Sequence, residues 1–403
     1  MAPGTGMELK GTNQEYGRPY NRRIVLETIR LQGPIARGEI AKRVSLTVQT
    51  VSTITRELEE QGFLLGSREV RKLRGYPPTT LTINPDGGYA IGVHLTPRGI
   101  DVALINLSGE IVRRIRRKLS RMTPKTALGV IADLVEGLAE PPPGNHKRRR
   151  MLGVGLAMPG PFDVESMSFV GPTTLEGWQG VPIRDHLAAM TGLPTFIESD
   201  HASAALGERL YGIGRNVRDF YYIYFGVGLG GCMVQDGAIL RGGHGNAGEI
   251  GHLPLVPDGE PCPCGNAGCL ERYLSCEAME RRARDIGIEG WIAEAAPLLR
   301  RAIAVTENLF DPQTIVIGGI VPPDVLSRLL AAAEPFLHSV AERAARKLPR
   351  VMRPPFGEDA VLRGAASLAV SGALSPRFGL LFAGDDEPEL DLAVVRAKAE
   401  TRM

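Results

Sequence analysis

From Tyr89 onward, apolar strand-like runs alternate with helical segments, and glycine-rich turns follow several of the strands. The runs are YAIGVHL, IDVALIN, MLGVGLAM, PTFIES and FYYIYFGV. This alternation predicts an α/β architecture in which helices cover the sheets. In such sheets ligands bind beyond the carboxyl ends of the strands, so the loops at those ends are where a functional site is expected.

The first 85 residues follow a different pattern. Apolar residues recur at helical spacing from Ile24 to Leu31, and this segment stops at Gly33-Pro34. A short helix is predicted from Arg37 to Val44, and a third helix begins near Thr47. The third helix has a predicted buried stripe of Val48, Val51, Ile54 and Leu58.

Three helices with a short turn between the last two are typical of a helix-turn-helix. The outer face of the third helix offers hydroxyl, amide and guanidinium groups to DNA, from Thr47, Gln49, Thr50, Ser52, Thr53 and Arg56. After Gly62, two strands around a basic turn predict a wing whose cations neutralise phosphates, namely Arg68, Arg71, Lys72 and Arg74. The alternative is a helical bundle with a solvated basic face, but the order of the elements favours DNA binding.

The distribution of charge supports this division of the chain. The 403 residues include 47 Lys and Arg against 45 Asp and Glu, and a net charge of +2 by itself argues against nucleic-acid binding. However, residues 1–85 carry 13 cationic and 8 acidic side chains, whereas the remainder carries 34 and 37. The chain therefore joins a basic segment to a slightly acidic one.

The composition is that of a globular protein, which excludes a collagen, a coiled coil and a disordered chain. No apolar run reaches the roughly 18–20 residues of a membrane helix, and the first ten residues do not resemble a signal peptide. We expect a cytoplasmic protein that does not contact a membrane.

Three of the five cysteines, Cys262, Cys264 and Cys269, lie within eight residues, and His252 precedes Cys262 by ten. An odd number of cysteines does not suggest a disulfide framework. Three thiolates and one imidazole complete the tetrahedral coordination that zinc favours, so the cluster predicts a closed, structural zinc site. Three buried free thiols are the alternative.

These residues resemble the ROK family of repressors, open reading frames and sugar kinases. The family is marked by E-x-G-H followed by C-x-C-G-x-x-G-C-x-E, and here these motifs are Glu249-Ile-Gly-His252 and Cys262 to Glu271. The resemblance extends over about residues 88–375, and the N-terminal winged helix is similar to that of the branch that includes the N-acetylglucosamine and xylose repressors. It implies a two-lobed, actin-like (ribonuclease H-like) domain of the sugar-kinase type. The expected units are residues 1–85, 86–382 and a C-terminal tail of 383–403.

The same resemblance implies the residues of a sugar site. Gly160 would approach the sugar, and Asp200 would stand at the position of the kinase catalytic base. Glu249 and Glu271 would bind ring hydroxyls, and His252 would lie beside the sugar as well as bind zinc. The alternative is a purely structural role for Asp200 as a helix N-cap, since a helix follows directly.

Two positions depart from the family pattern at the sugar site, because Ser199 and Thr174 stand where asparagine is common. They leave the ligand open to a different sugar, a sugar acid or a sugar alcohol.

A third departure affects the nucleotide site. Kinases of this fold carry an Asp-x-Gly-Gly-Thr turn, which here reads His94-Leu-Thr-Pro-Arg98. Proline and the added side chains impair a phosphate-binding turn.

We therefore expect a sugar-responsive repressor that binds double-stranded operator DNA as a homodimer or homotetramer and is not an enzyme. One alternative is an ATP-dependent sugar kinase with an accessory DNA-binding head. Another is a constitutive DNA-binding protein with a vestigial cleft. Two basic runs, at residues 113–118 and 147–150, are predicted to be solvated edges.

Overall fold

The computed structural model describes residues 17–68, 79–140, 149–160, 162–163, 168–169, 175, 177–342 and 346–374. The expected wing cations Arg71, Lys72 and Arg74, the sugar-site residue Thr174 and the tail 383–403 lie outside the described residues.

The N-terminal segment, here called the head, is a winged helix-turn-helix as predicted. Its elements are α1 (Gly17–Gln32), β1 (Ile35–Ala36), α2 (Arg37–Arg43), α3 (Val48–Glu60), β2 (Leu64–Arg68) and β3 (Thr79–Ile83). β3 lies between β1 and β2 and is antiparallel to both.

The predicted buried stripe of α3 is wrong at its first position. Val51, Ile54 and Leu58 are buried, but the side chain of Val48 is 55% exposed. Val48 is the first residue of α3, directly after the N-cap Thr47, so it begins outside the stripe and no earlier turn covers it. The fourth buried position is Thr55, whose hydroxyl accepts a 2.9 Å hydrogen bond from Arg37 Nε.

The first lobe of the body contains a five-stranded sheet in the order β10-β7-β4-β5-β6. β4 is antiparallel to β5 and parallel to β7, and β7 is parallel to β10. The lobe's elements are β4 (Tyr89–Thr96), β5 (Gly99–Asn106), β6 (Ile111–Arg117), α4 (Pro124–Ala139), β7 (Met151–Met158), β8 (Phe162–Asp163), β9 (Ser168–Phe169), α5 (Ile183–Thr191), β10 (Thr195–Ser199) and α6 (Asp200–Tyr211).

The second lobe repeats this plan with the sheet order β13-β12-β11-β14-β15. Its elements are β11 (Phe220–Phe225), β12 (Leu229–Gln235), β13 (Ala238–Ile239), α7 (Cys276–Phe310), β14 (Thr314–Gly319), α8 (Pro323–Ala333) and β15 (Val351–Met352). The chain then returns to the first lobe through α9 (Asp359–Leu374), which packs on β4 and β7. Within α7 the helix is broken at Gly287, whose φ is 71°. α7 and α8 share a core with β11 and β14. Among the described residues, we find no helix that combines the length and the apolar character needed to span a bilayer.

α6 and α9 share a core with strands of both lobes and cross each other with their backbones in contact. A Cβ atom at Gly364 of α9 would overlap the carbonyl oxygen of Ser203 in α6, and one at Gly207 of α6 would overlap the carbonyl of Ala360. Only glycine permits helices to approach this closely, so α6 and α9 form one packed unit.

The head packs directly against the first lobe. A single hydrophobic cluster contains Ile24 and Ile29 of α1 together with Leu152 of β7 and Leu362 of α9. Glu27 and Arg30 of α1 are each 5% exposed in this interface, and Glu27 Oε1 lies 3.6 Å from Nη1 of Arg209 in α6. The carboxylate of Glu27 is thus shared by two guanidinium groups, which hold its pKa below the usual range even though burial opposes this.

Of the two basic runs predicted to be solvated edges, residues 113–118 lie on and just after β6, the edge strand of the sheet, and all their cations except the half-buried Arg114 are exposed. Residues 147 and 148 of the other run lie outside the described residues. Several of these cations are nevertheless paired. Arg114 contacts Asp101 and Asp359, and Arg116 contacts Asp101 and Glu358, so β6 is tied to the start of α9. In the other run, Arg150 Nη1 donates a 2.8 Å hydrogen bond to the carbonyl of Gln61 in the head. These cations have specific partners on distant segments, which sequence spacing does not reveal.

Candidate functional site: a metal cluster beside a polar cleft

The four predicted metal ligands come together. The donor atoms of His252, Cys262, Cys264 and Cys269 all lie within 4.8 Å of one another. Cys264 Sγ is 3.6 Å from Cys269 Sγ, and Cys262 Sγ is 3.6 Å from His252 Nδ1. Two thiolates bound tetrahedrally at the usual zinc–sulfur distance are about 3.8 Å apart, so the donor set fits a zinc ion.

Backbone contacts show what this cluster holds together. Cys269 bridges to Pro254 in an antiparallel pair, and Cys262 N donates a 2.8 Å hydrogen bond to the carbonyl of Asn266. Glu249 begins the turn that carries His252, and Glu271 follows Cys269 by two residues. The cluster therefore lies within the segment that supplies both predicted sugar-binding glutamates.

Three parallel strands of the first lobe end at the same edge of the sheet as the predicted sugar site. His94 of β4 is paired with Ala157 of β7, and Ser199 of β10 is paired with Met158. Asp200 follows Ser199 directly, and Gly160 follows Met158 by two residues and is half-buried. The topology thus brings the predicted residues Gly160, Ser199 and Asp200 to the carboxyl ends of neighbouring strands.

Ser199, and not Asp200, is the N-cap of α6. Its Oγ accepts from the backbone N–H of Ala202 and lies 3.1 Å from His201 Nε2. The N-cap reading of Asp200 is therefore wrong: Asp200 is the first residue of the helix, and its carboxylate accepts a 2.8 Å hydrogen bond from the N–H of His201. This leaves the Asp200 carboxylate with lone pairs for further donors.

Two histidines flank Asp200. Burial lowers the pKa of His201, but its contacts with Asp200, 3.6 Å from Nδ1, and the charges of Glu249 and Glu198 raise it overall. Burial also raises the pKa of Asp200, but His201 and His94 lower it overall, so the pair favours an ionised carboxylate beside an imidazolium.

His94 is the second of these histidines. The sequence marks it only as the residue that stands in place of the kinase aspartate and predicts no role for it in the site. It is 6% exposed, and within the described part of the chain its Nε2 has no hydrogen-bond partner. Burial lowers its pKa, which the charge of Asp200 partly opposes. An imidazole with an unpaired nitrogen therefore lies near the Asp200 carboxylate, and its burial favours the uncharged form.

Glu271 lies close enough to Glu249 and to Asp200 for the charges of both to act on it. Glu271 accepts a 2.9 Å hydrogen bond from the N–H of Leu229, and burial raises its pKa, as do the charges of Glu249 and Asp200. Glu249 Oε2 lies 3.9 Å from His252 Nε2. The site thus groups carboxylate acceptors around a common region, which suits hydroxyl-rich ligands.

The site also contains a buried ion pair that the sequence does not predict. Glu198, the residue before Ser199, pairs with Arg241 from the loop after β13, and the carboxylate also accepts a hydrogen bond from Ser199 N. The partners are 43 residues apart along the chain, and no local pattern marks Arg241 as a ligand of Glu198.

The turn at residues 94–98 has no free phosphate cradle. Thr96 Oγ1 already accepts the N–H of Arg98, and the side chain of Arg98 forms two hydrogen bonds of 2.8 and 3.0 Å with Glu280 of α7, in the opposite lobe. The turn therefore places a salt bridge between the lobes, with both partners nearly half exposed.

The glycine loop at residues 226–231 also has a packing explanation. A Cβ at Gly228 would overlap the Glu271 carboxylate, and one at Gly230 would lie 2.6 Å from Nδ1 of His201. These glycines let β12 approach the site residues closely, so they are needed whether or not a phosphate binds.

In the head, the predicted DNA-facing residues lie on the outside of α3. Thr47, Gln49 and Arg56 are exposed, and Thr50, Ser52 and Thr53 are half-buried. The hydroxyl groups of Thr47 and Thr50 bond to each other at 2.8 Å, and that of Thr47 caps the helix by accepting the N–H of Thr50. Arg68, predicted as a wing cation, is the last residue of β2.

Comparison with known proteins decides the family. The model of the ROK family matches residues 90–371, and that of the MarR family, a helix-turn-helix family, matches residues 23–70. The chain belongs to the ROK family. This match covers the body of the chain, and the head places this ROK protein among those that carry a DNA-binding segment.

Its relatives include repressors. The chain is 30% identical to the xylose repressor of Caldicellulosiruptor bescii over 75% of this chain and 83% of the relative. It is 28% identical to the DNA-binding transcriptional dual regulator NagC of Escherichia coli over 88% of this chain and 92% of the relative. The interpretation as a transcriptional regulator is confirmed at the level of the family branch.

Solved structures agree with the fold. A ROK family transcriptional regulator described as a homologue of the Escherichia coli MLC protein superimposes with a TM-score of 0.70 at 25% identity, covering 90% of this chain and 98% of that one. A ROK family glucokinase from Streptomyces griseus, in complex with glucose and AMPPNP, gives a TM-score of 0.61 at 25% identity, covering 71% and 100%. The predicted two-lobed sugar-kinase-type body is confirmed.

Proposed function

We propose that this ROK protein is a repressor whose head binds a double-stranded operator and whose cleft binds a carbohydrate effector that changes operator affinity. The observation that carries the proposal is the position of α6. Asp200 begins this helix in the cleft, and Arg209, nine residues later, pairs with Glu27 of the head. Nine residues of α-helix span about 13–14 Å, so one rigid element connects the two sites.

Effector binding acts on the head through this element. A ligand can shift an equilibrium between two conformations only by binding one of them more tightly. A sugar hydroxyl that donates to Asp200 engages the first turn of α6, and the helix is packed against α9 without room for independent motion. Because the head shares a core with α9 and a buried contact with Arg209, a displacement of α6 and α9 carries the head with it.

The sugar site of the proposal consists of Gly160, Thr174, Ser199, Asp200, Glu249, His252 and Glu271. Of these, Asp200, Glu249 and Glu271 supply the carboxylate acceptors for hydroxyl groups, and His94 is an additional polar neighbour. The relatives named above are described by different sugars, so their names support a carbohydrate and leave its identity open.

We assign the His252 and cysteine cluster to a structural zinc ion. All four coordination positions would be filled by the protein, so the ion would hold the loop between Glu249 and Glu271 and would not activate water. The spacing of the sulfur and nitrogen atoms supports this assignment.

The turn at residues 94–98 argues against phosphoryl transfer. Arg98 N–H is already bonded, Pro97 has no N–H, and the Arg98 guanidinium pairs with Glu280. The alternative is a sugar kinase, which Asp200 and the similarity to ROK kinases favour. Assay of ADP release from magnesium ATP with a panel of sugars separates the two: sustained release above the no-sugar blank contradicts the repressor-only proposal.

The proposal includes two copies of the chain, because a dimer would place two heads in successive major grooves of a pseudopalindromic operator. A homodimer or homotetramer in the cytoplasm fits such a regulator. The functional units are proposed to be a DNA-binding head of residues 1–85, a sugar-binding body of 86–382 and a tail of 383–403.

Selection of bound sequences from a random DNA library with the full-length protein tests the proposal. We expect a two-part recognition sequence, affinity that falls steeply with salt, and a change in affinity with at least one sugar. Failure to enrich any sequence would contradict operator binding. Enrichment without a response to any sugar would instead favour a constitutive DNA-binding protein.

A further inference from the structure

The first turn of α3 carries an apolar side chain where the amphipathic pattern does not require one. The side chain of Val48 is 55% exposed, whereas Val51, Ile54 and Leu58 are no more than 4% exposed. A valine on a helix surface adds neither core packing nor helix propensity, because its β-branched side chain loses rotamer freedom in a helix. The fold of the head does not explain this residue.

The backbone at Val48 is firmly held. Thr47 caps α3 by accepting the N–H of Thr50 at 3.1 Å, and the hydroxyl groups of both threonines bond to each other. These contacts use an acceptor site of Thr47 and one O–H donor of the pair inside the head, so the threonines are held in place by the cap. Val48 and Gln49 are exposed side chains of this turn that the cap does not use.

Val48 also lies in line with the polar residues predicted to contact DNA. Ser52 and Arg56 follow it at intervals of four residues, so the three side chains form one ridge along α3. The N-terminal residues of a recognition helix approach base edges most closely. The ridge therefore presents an apolar group first, then a hydroxyl, and then a guanidinium that can reach a phosphate or a guanine.

We propose that Val48 reads thymine by packing its methyl groups against the thymine 5-methyl group in the major groove. This inference rests on the proposed function and specifies one base of each half-site. Thymine is the base that offers an apolar group in the major groove, and contact with a small apolar side chain distinguishes it from cytosine. Gln49, the neighbouring side chain, would then contact the adjacent base pair with its amide.

The test uses the full-length protein and the operator recovered by library selection. Each thymine of a half-site is replaced in turn by deoxyuridine, which exchanges only the 5-methyl group for hydrogen. For the unsubstituted protein, we expect one thymine whose replacement weakens binding about fourfold, which corresponds to loss of roughly one buried methyl group. For Val48→Ala, the thymine and deoxyuridine operators should bind equally at this position.

Two further variants make the result specific. Val48→Thr keeps the shape of the side chain but replaces one methyl group by hydroxyl, so it should retain only part of the discrimination. Met190→Ala removes an apolar side chain of similar exposure, 50%, from α5 of the body and should leave both affinities unchanged. Unaltered thermal unfolding of each variant would confirm that the head is folded.

The outcomes separate this inference from the proposed function. Suppose that a sequence is selected for which every deoxyuridine replacement changes the affinity of the unsubstituted protein and of Val48→Ala by the same factor. In that case the contact with thymine is wrong and operator binding stands. If no sequence is selected at all, both the inference and the proposed operator binding are overturned.

Discussion

Glu27 of α1 and Arg209 of α6 form a buried contact of 3.6 Å that joins the DNA-binding head to the helix that begins at Asp200. Glu27 also pairs with Arg30 at 2.5 Å, so one carboxylate faces two buried guanidinium groups. Removal of one partner from a buried ion pair leaves charge unsatisfied in a poorly solvated region.

Glu27→Gln should therefore destabilise the folded protein by about 3–5 kcal/mol, because two buried arginines lose their counter-charge. Denaturant unfolding monitored by fluorescence measures the change. Glu39→Gln is the matched control, since Glu39 forms an exposed pair with Arg43 in the same head and should cost less than about 1 kcal/mol. Equal effects of the two variants would contradict a special role for the buried contact.

Asp200→Asn should weaken effector binding without changing operator affinity in the absence of sugar. The amide keeps the size of the side chain but replaces an ionised acceptor, so a loss of about tenfold or more in sugar affinity is expected. Calorimetric titration with the effector measures it. Asp133→Asn, on the exposed face of α4, is the control. Full sugar affinity in Asp200→Asn would remove this residue from the site.

Cys264→Ser should abolish stoichiometric zinc binding, because a structural site needs all four ligands. Metal released by the denatured protein can be quantified with a colorimetric chelator. Cys232→Ser is the control, since Cys232 lies in β12 outside the cluster and should leave one zinc per chain. Sugar affinity that survives loss of the metal unchanged would show that zinc does not hold the loop carrying Glu249 and Glu271.

Arg56→Ala should weaken operator binding at least fivefold and leave sugar binding intact, since Arg56 is exposed on α3 and remote from the cleft. If Arg56 contacts a phosphate, the dependence of affinity on salt becomes shallower by about one ion; if it contacts guanine, specificity at one position relaxes instead. Fluorescence anisotropy at several salt concentrations distinguishes these cases. Unchanged affinity and specificity would place Arg56 outside the interface.

Glu208 of α6 predicts an unusual dependence of stability on pH. It is fully buried, and its carboxylate accepts long hydrogen bonds from the N–H groups of Ile213 at 3.3 Å and Phe356 at 3.4 Å. Burial raises its pKa to about 7, which those bonds and Arg363 only partly oppose. The folded state holds this proton more tightly than the unfolded state. The free energy of unfolding of the protein therefore falls as pH rises from about 4.5 through 7.

Glu208→Gln should remove that loss. Relative to the variant, the unsubstituted protein should lose about 3 kcal/mol in free energy of unfolding between pH 4.5 and pH 8. Denaturant unfolding across this range provides the comparison. Glu136→Gln, at an exposed position of α4, should follow the unsubstituted protein. Parallel curves for Glu208→Gln and the unsubstituted protein would show that Glu208 titrates normally.

Much of this molecule could be predicted because its signals are local. The helix-turn-helix, the strand that carries MLGVGLAM and the cluster of three cysteines each depend on residues close together in sequence. Helical periodicity predicts a buried Val48 wrongly, because it does not distinguish a residue of the first turn from one that a preceding turn covers. The pairs Arg241–Glu198 and Arg98–Glu280 join segments 43 and 182 residues apart, and their partners become visible only after the lobes are assembled.

The shared core of head and first lobe has a consequence for how proteins of this design can diverge. Because Ile24 and Ile29 pack in the same cluster as Leu152 and Leu362, the head is not an independent domain on a flexible linker. Transplanting it onto another body would require a matching surface on α9 as well as a suitable linker. New operator specificities should therefore arise more readily by changing the outer face of α3 than by exchanging whole heads.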